Sequence, residues 1–416
     1  MKNYLYKNRF LLLLVTISAL VSSANYDVGT ILSGWDTLHP EFNFGLYFKR
    51  ILFGVWQENQ GLGALATQSH ASEIARMFIY YPLSFILPDS LLRYSYFFLT
   101  IILGPVGVYF FVKQIVFKEN HLKTEVSAFL AGLFYLLNLG TLQHFYVPFE
   151  MFATHFASLP WLLLFSIHYL DDKKPKTLLI FSVITFFSAS MAHTSTLWFA
   201  FFGSFLTFLF SYCLVRKNFK SDFKRLIIII AASILINLFW LLPNIYFIAN
   251  DNGAVSNSKI HSLFSDEAFA QNQSFGTIKD LLIFKNFLFN WGEYVGNNKF
   301  APLLDEWSLY LQSSAVILIG YFFSLVAIVG LIYSIIKKNK VATALLSFLG
   351  IGIFFWLNTN PPFGFIYNLL RDNIPFFREA LRFPFTKFSI ILIFTVSIYF
   401  AYGVSFIIIA ASKIKE

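Results

Sequence analysis

The chain has 416 residues, of which 57% are hydrophobic and only 13% charged, against about 45–50% apolar and about 25% charged in an ordinary soluble domain. With a mean hydropathy of +0.64 and 54 Phe and 21 Tyr, it has too little charge to coat a water-facing globule, and its single Cys excludes a disulfide scaffold. Disorder and collagen-like repeats are excluded as well, which leaves an all-α polytopic membrane protein, expected as one transmembrane domain over 1–416 with no soluble domain.

A helix needs roughly 17–25 apolar residues to cross about 30 Å of hydrocarbon. Ten stretches qualify in chain order: 10–26, 94–112, 126–142, 151–170, 177–193, 195–215, 226–248, 312–335, 341–357 and 388–411. The first of them, with Lys2, Lys7 and Arg9 before it and Ser22, Ser23 and Ala24 at its end, also resembles a signal peptide. In a ten-span protein an uncleaved helix is the expectation.

Alternating these spans collects most of the 31 Lys and Arg on the side of Lys2, Lys7 and Arg9. By the positive-inside rule that side is cytoplasmic. Both termini are therefore expected in the cytoplasm, with a multi-pass protein in the plasma membrane and no Asp, Glu, Lys or Arg inside a span. The basic pI of about 9.3 then reflects orientation in a lipid bilayer, and nucleic acid is not an expected partner.

Three outer loops are long, 27–93, 249–312 and 358–387, while the cytoplasmic loops are short and basic. The chemistry is therefore expected on the outer face. In the first loop Asp36 follows the first span, with His39 and Glu41 close behind. A carboxylate at that boundary is suited to accept a proton from a hydroxyl, although a lone Asp at a span exit is more often a capping residue. His39 lacks a second ligand at metal spacing. Next, Phe44, Phe48, Ile51, Leu52 and Val55 share one helical face, and with Lys49, Arg50 and Trp56 they predict an interfacial amphipathic helix. A short apolar patch from Met77 to Pro88 reads as interfacial too.

The second outer loop carries Gln143, His144 and Glu150, with His155 one turn into the next span, and His193 ends the fifth span. A histidine at a helix end is more often a hydrogen-bonded structural residue than a ligand. In the last outer loop Arg378 and Arg382 lie four apart between Pro375 and Pro384. A short helix there would put both on one face as a fork for phosphate oxygens. The bland alternative pairs Arg378 with Asp372 or Glu379 and leaves Lys387 to anchor in headgroups.

The order of these features resembles the membrane-embedded GT-C glycosyltransferases, and within them the amino-terminal transmembrane region of bacterial arabinofuranosyltransferase-like proteins. The matching positions are Asp36, the Trp56-x-x-x-Gln60-Gly61-x-Gly63 segment, the Tyr80-Tyr81-Pro82 run and the Phe377-Arg378-x-x-x-Arg382-Phe383-Pro384 loop. The resemblance implies transfer of a sugar from a polyprenyl-phosphate donor to a glycan or lipid acceptor of the cell envelope. Asp36 would be the base. Arg378 and Arg382, with Lys49 or Arg50 as second choice, would hold the donor phosphate, and His39, Glu41, Gln60, Glu150 and His155 would orient substrate. A divalent metal has only weak support, because no Asp-x-Asp pair occurs. A periplasmic carbohydrate-binding domain of the kind that larger relatives carry after the last span is not expected here.

The competing reading is a transporter or flippase of a lipid-linked sugar. Coupled transporters bury ionisable groups near the midplane, and none is expected there. A non-catalytic scaffold would explain neither the amphipathic cap nor the basic late loop.

Overall fold

The computed structural model describes residues 8–33, 42–53, 56–57, 64–65, 69–118, 121–216, 218–250 and 259–414. Helix α1 (Arg9–Ala24) leads into the first long connection, which contains α2 (Phe44–Phe53), the paired two-residue strands β1 (Trp56–Gln57) and β2 (Ala64–Leu65), α3 (Ser69–Ser72) and α4 (Ile74–Leu83). Then come α5 (Asp89–Phe111), extended by a π-helical turn to Phe117, and α6 (Leu122–Leu136), α7 (Leu139–Tyr146), α8 (Glu150–Asp172) and α9 (Pro175–Phe187), the last extended by a 3-10 turn to His193. Two more long helices follow, α10 (Ser195–Arg216) and α11 (Phe219–Asn250).

The second long connection holds α12 (Lys259–Asn272), α13 (Ile278–Ile283), an antiparallel hairpin of β3 (Gly292–Gly296) and β4 (Lys299–Pro302), and α14 (Asp305–Tyr310). Helices α15 (Ser314–Ile336) and α16 (Lys340–Leu357) precede the third connection, with α17 (Gly364–Asn373) and α18 (Pro375–Ala380), and α19 (Phe385–Ile414) closes the fold.

Eight of these helices are long and apolar enough to cross a membrane: α5, α8, α9, α10, α11, α15, α16 and α19. Helices α6 and α7, bent by 46° at their junction, satisfy the same criteria as one broken span. Helix α1 is apolar but has 16 residues, about 24 Å at 1.5 Å per residue. All ten expected stretches are thus helical.

The helices overrun the expected spans, so that Arg93, Glu150 and Lys387 fall in the first two turns and are buried at 4%, 1% and 8% exposure. The charges expected in loops are therefore partly enclosed at helix ends. At the opposite end Asp222, 1% exposed, is paired with Arg216 at 3.0 Å and Arg225 at 3.6 Å.

Helix α19 is the axis of the bundle, buried from Phe385 to Ser405 and packed against α6, α10, α15 and α16. Helix α15 instead exposes Leu318, Ile319, Phe322 and Leu325, an apolar flank of the kind that faces lipid. Where α15 crosses α19 the backbones nearly touch. A Cβ on Gly330 would collide with the Tyr399 carbonyl, and one on Gly403 with the Val326 carbonyl. Close approach through small residues is the usual device for packing helices in lipid, which offers little hydrophobic drive. The expected consequence of Gly330→Leu is a splayed α15–α19 pair, destabilised by at least about 1–3 kcal/mol through overpacking. Loss of cross-linking between cysteines placed on the two helices would report it, and an unchanged cross-link would refute the close crossing.

Candidate functional site

The three long connections gather at one end of the bundle, and two charged clusters form there. The first is buried. Glu73, Arg76, Arg93 and Glu150 are 0%, 1%, 4% and 1% exposed. Arg76 Nε bonds Glu73 Oε2, its Nη1 lies 3.4 Å from Glu150 Oε1, and its Nη2 donates to the Tyr47 hydroxyl at 2.7 Å. That hydroxyl donates in turn to Glu73 Oε2 at 3.2 Å. Arg93 donates to Glu150 Oε1 from Nε at 2.7 Å and lies 2.5 Å from it through Nη2. Its Nη1 donates to the Leu32 carbonyl at 2.6 Å. His193 Nδ1 stands 3.6 Å from Glu73 Oε1.

Two guanidiniums thus meet two carboxylates, and the cluster is neutral. Aromatic faces enclose it: the Arg76 guanidinium lies 5.0 Å from the ring centre of Tyr80 and 5.8 Å from that of Tyr96. Burial, only partly offset by the charge of Arg76, holds the Glu73 carboxyl above its ordinary value, and the like charge of Glu150 adds to the rise. The residues come from the start of the first connection, from α2, from α4 and the turn into it, and from α5, α8 and the end of α9. The network therefore fastens the first connection onto the bundle.

Helix α2 shows why it docks as it does. Its buried stripe is Phe44, Tyr47, Phe48 and Ile51, an i, i+3, i+4, i+7 pattern. Leu52, which the sequence groups with Phe44, Phe48 and Ile51 on one apolar face, is 57% exposed and does not join the packed stripe. Tyr47 takes the central place because its hydroxyl completes the arginine–glutamate network. Helix α4 likewise buries Met77 and Tyr80 while exposing Phe78 and Tyr81, as an interfacial helix would.

The second cluster lines a cleft between the second and third connections. Arg371 on α17, Arg378 on α18 and Arg382 just beyond it share its wall with Ser265, Phe269 and Asn272 of α12. Helix α18 ends at Ala380, short of Arg382, yet both expected arginines reach the same cleft. Asp266 accepts a hydrogen bond from Arg378 Nη2 at 2.6 Å and lies 3.5 Å from Arg371 Nη2. Asp372 lies 3.0 Å from Arg371 and Glu379 3.8 Å from Arg378. The Arg371 guanidinium rests 3.4 Å from the centre of the Phe269 ring. Burial lowers the pKa of Arg382, with Glu379 opposing the shift.

An apolar cavity of about 490 Å³ lies between α6, α15 and α19, roofed by Trp307 and Leu311. That volume is in the range of ordinary ligand sites, roughly 300–1,000 Å³. Phe284 lines it and meets Trp356 edge-on, Trp356 meets Phe385, and Phe385 meets Phe287, which packs on Phe383 next to Arg382. A chain of aromatic contacts therefore runs from the cavity to the arginine cleft. Gln143 ties α7 to the same region, its Nε2 donating to the Phe284 carbonyl at 3.0 Å and its Oε1 accepting from Asn286 at 3.1 Å.

Of the other expected site residues, Asp36, His39, Glu41 and Gln60 lie outside the described residues. Lys49 is exposed and Arg50 half-buried on α2, which packs on α3 and α4 rather than on the helices that carry the arginine cleft. Glu150 sits inside the buried network. His155 is fully buried, edge-on to Phe201 at 5.5 Å, and neither ring nitrogen has a hydrogen-bond partner among the described residues. His144 pairs its Nε2 with Ser389 Oγ at 2.5 Å and stacks on Phe385. Among the described residues no group of three or more His, Cys, Asp or Glu is arranged to hold a metal ion.

Sequence reasoning missed Glu73, Arg76, Arg93, Arg371 and Asp266. The first two carried a faint signal, opposite charges three apart at the start of an apolar helix. Asp266 carried none, since its partners lie over a hundred residues away.

Breaking a buried ion pair by removing one partner costs about 3–5 kcal/mol, because the other charge is left uncompensated. Arg76→Gln is therefore expected to lower the melting temperature in detergent sharply, while Arg378→Gln, on the exposed cleft, changes it little. Glu73 adds a pH signature. Its folded pKa is raised above the unfolded value, so its contribution to stability is full below the unfolded value and is lost as pH rises through the folded one. The melting temperature of Glu73→Gln relative to the parent should consequently climb as pH rises from about 4.5; a falling difference would contradict the assigned direction. Comparison with protein-family models, with curated proteins and with solved structures finds no match to this chain.

Proposed function

We propose that this chain is a GT-C-type glycosyltransferase with ten crossings, both termini in the cytoplasm, in the plasma membrane. It moves a sugar from a polyprenyl-phosphate donor to a glycan or lipid acceptor on the outer face. The observation that carries this reading is the meeting of Arg371, Arg378 and Arg382 on one cleft at the loop-rich end of an apolar bundle. A phosphate bearing a hydrocarbon tail has its charge at headgroup depth and its tail in the bilayer. The cleft offers guanidinium forks for the first, and the 490 Å³ cavity offers apolar walls for the second.

In the transfer, the carboxylate of Asp36 takes the proton of the acceptor hydroxyl as its oxygen attacks the anomeric carbon. The bond from that carbon to the phosphate oxygen breaks on the opposite face, with inversion. Negative charge then grows on the departing lipid phosphate, where Arg378 and Arg382 stabilise it more strongly than in the ground state. Lys49 and Arg50 are second choices for the same role, and His39, Glu41 and Gln60 orient the acceptor. Glu150 acts at one remove, by holding the arginines that anchor the first connection.

The test is transfer from a polyprenyl-phosphate-sugar pool in proteoliposomes. Each of Arg378→Gln and Arg382→Gln should lower kcat/KM by about ten- to a hundredfold, the size of a lost charge-assisted hydrogen bond of roughly 1.5–3 kcal/mol. Asp36→Asn should abolish turnover while leaving donor binding little changed. A substrate that crosses the bilayer covalently unchanged would identify a flippase instead, and full activity of Asp36→Asn would remove the base.

A further inference from the structure

The cleft that gathers the three arginines is shallow, and the protein's own carboxylates already occupy them. Its free volume is about 10 Å³, space for roughly one water molecule, so an anion that pairs with these guanidiniums takes the place of a group that already holds them. Asp372 and Glu379 are each next in sequence to the arginine they meet and move with it. Asp266 is different. It reaches across from α12, and one oxygen, Oδ1, serves both Arg378 Nη2 at 2.6 Å and Arg371 Nη2 at 3.5 Å. Its side chain is 57% exposed, so it has water to move into. The rest of the α12 face is fixed in place. Ser265 donates to Glu379 Oε2 at 2.6 Å, Phe269 lies under the Arg371 guanidinium, and Asn272 donates to the Arg382 carbonyl at 2.5 Å.

We infer that Asp266 is a displaceable counter-ion: its carboxylate stands where a phosphate oxygen of the ligand binds, and the incoming phosphate takes Arg371 and Arg378 from it. The inference rests on reading the cleft as a phosphate site, and it adds Arg371 to the phosphate-holding set. The exchange is isoelectric at the arginines. One anion replaces another, no guanidinium is left bare when the site is empty, and ligand affinity is set by the difference between two ion pairs. An exposed carboxylate–guanidinium pair contributes a modest stabilisation. Two such pairs make the empty cleft more stable by an amount that any phosphate must overcome.

The experiment uses the full chain in detergent, titrated with farnesyl phosphate, with inorganic phosphate and with farnesol, followed by calorimetry. Asp266→Asn should bind farnesyl phosphate about three- to tenfold more tightly than the parent. Asp372→Asn removes the same charge from the same surface but frees no bridging oxygen, and should change affinity less than twofold. Arg371→Gln should cancel most of the gain in the double variant. A matching gain with inorganic phosphate shows that the cleft reads phosphate alone; a gain confined to farnesyl phosphate shows that it reads a lipid phosphate. Farnesol should bind parent and variant alike.

Unchanged or weaker binding by Asp266→Asn overturns the inference, as does an equal gain in Asp372→Asn, which would make the effect one of general surface charge. Absence of phosphate binding in every variant overturns it together with the phosphate reading of the cleft. If the affinity gain appears but no sugar is ever transferred, the counter-ion exchange stands and the glycosyltransferase reading falls.

Discussion

Hydrocarbon offers no hydrogen bonds, so a membrane chain cannot leave a charge or a backbone group unpaired along its spans. With 13% charged residues in 416, this chain keeps its ionisable groups at the ends of the bundle, and the rest of the architecture follows from how each end pairs them. The decisive pairing is the neutral set of Glu73, Arg76, Arg93 and Glu150. Its members are buried beneath a connection whose described helices are short and share with α5 a small buried apolar cluster of Tyr47, Ile51, Met77, Tyr80, Leu92 and Tyr96. Such a small cluster cannot fix a long segment by apolar contact alone. The ion pairs supply direction as well as attraction, because a guanidinium accepts a carboxylate in only a few geometries. The first long connection is thereby held in one register against α5, α8 and the end of α9.

The same logic separates the two charged clusters by role. The buried network is closed, balanced and lined by aromatic rings, a positioning device. The arginine cleft is shallow and partly exposed, and its acids come from three different helices, so its pairings can be exchanged one at a time. Between the cleft and the apolar cavity lie Phe284, Trp356, Phe385, Phe287 and Phe383. An amphiphilic ligand that used both would pass along this chain of aromatic rings, charge at one end and tail at the other.

Much of the fold was legible in the sequence because a membrane span is written locally. All ten apolar stretches are helices, and the short helices of the first connection lie where periodicity predicts them. What escaped the sequence is long-range. Tyr47 was left out of the apolar face of α2 because it reads as one more aromatic, while in the fold its hydroxyl is claimed by Arg76 and Glu73. Asp266 gave no local sign, since its meaning depends on Arg371 and Arg378 arriving from another connection. Arg378 and Arg382 were legible from their four-residue spacing, although α18 stops before the second, and they meet through the turn that follows it. Arg93 and Glu150 read as span-edge charges, and only the overrun of α5 and α8 turns them into interior partners.

The central claim is that a lipid phosphate is held by the arginines of the last connection. The most direct measurement is photo-cross-linking with a short polyprenyl phosphate carrying a photoreactive group beside the phosphate, followed by peptide mapping. Labelling concentrated on residues 365–387 and 259–272, and competed away by unlabelled polyprenyl phosphate, is the expected result. Labelling confined to the opposite, lysine-rich end, or spread without competition over the lipid-facing flank of α15, would contradict it.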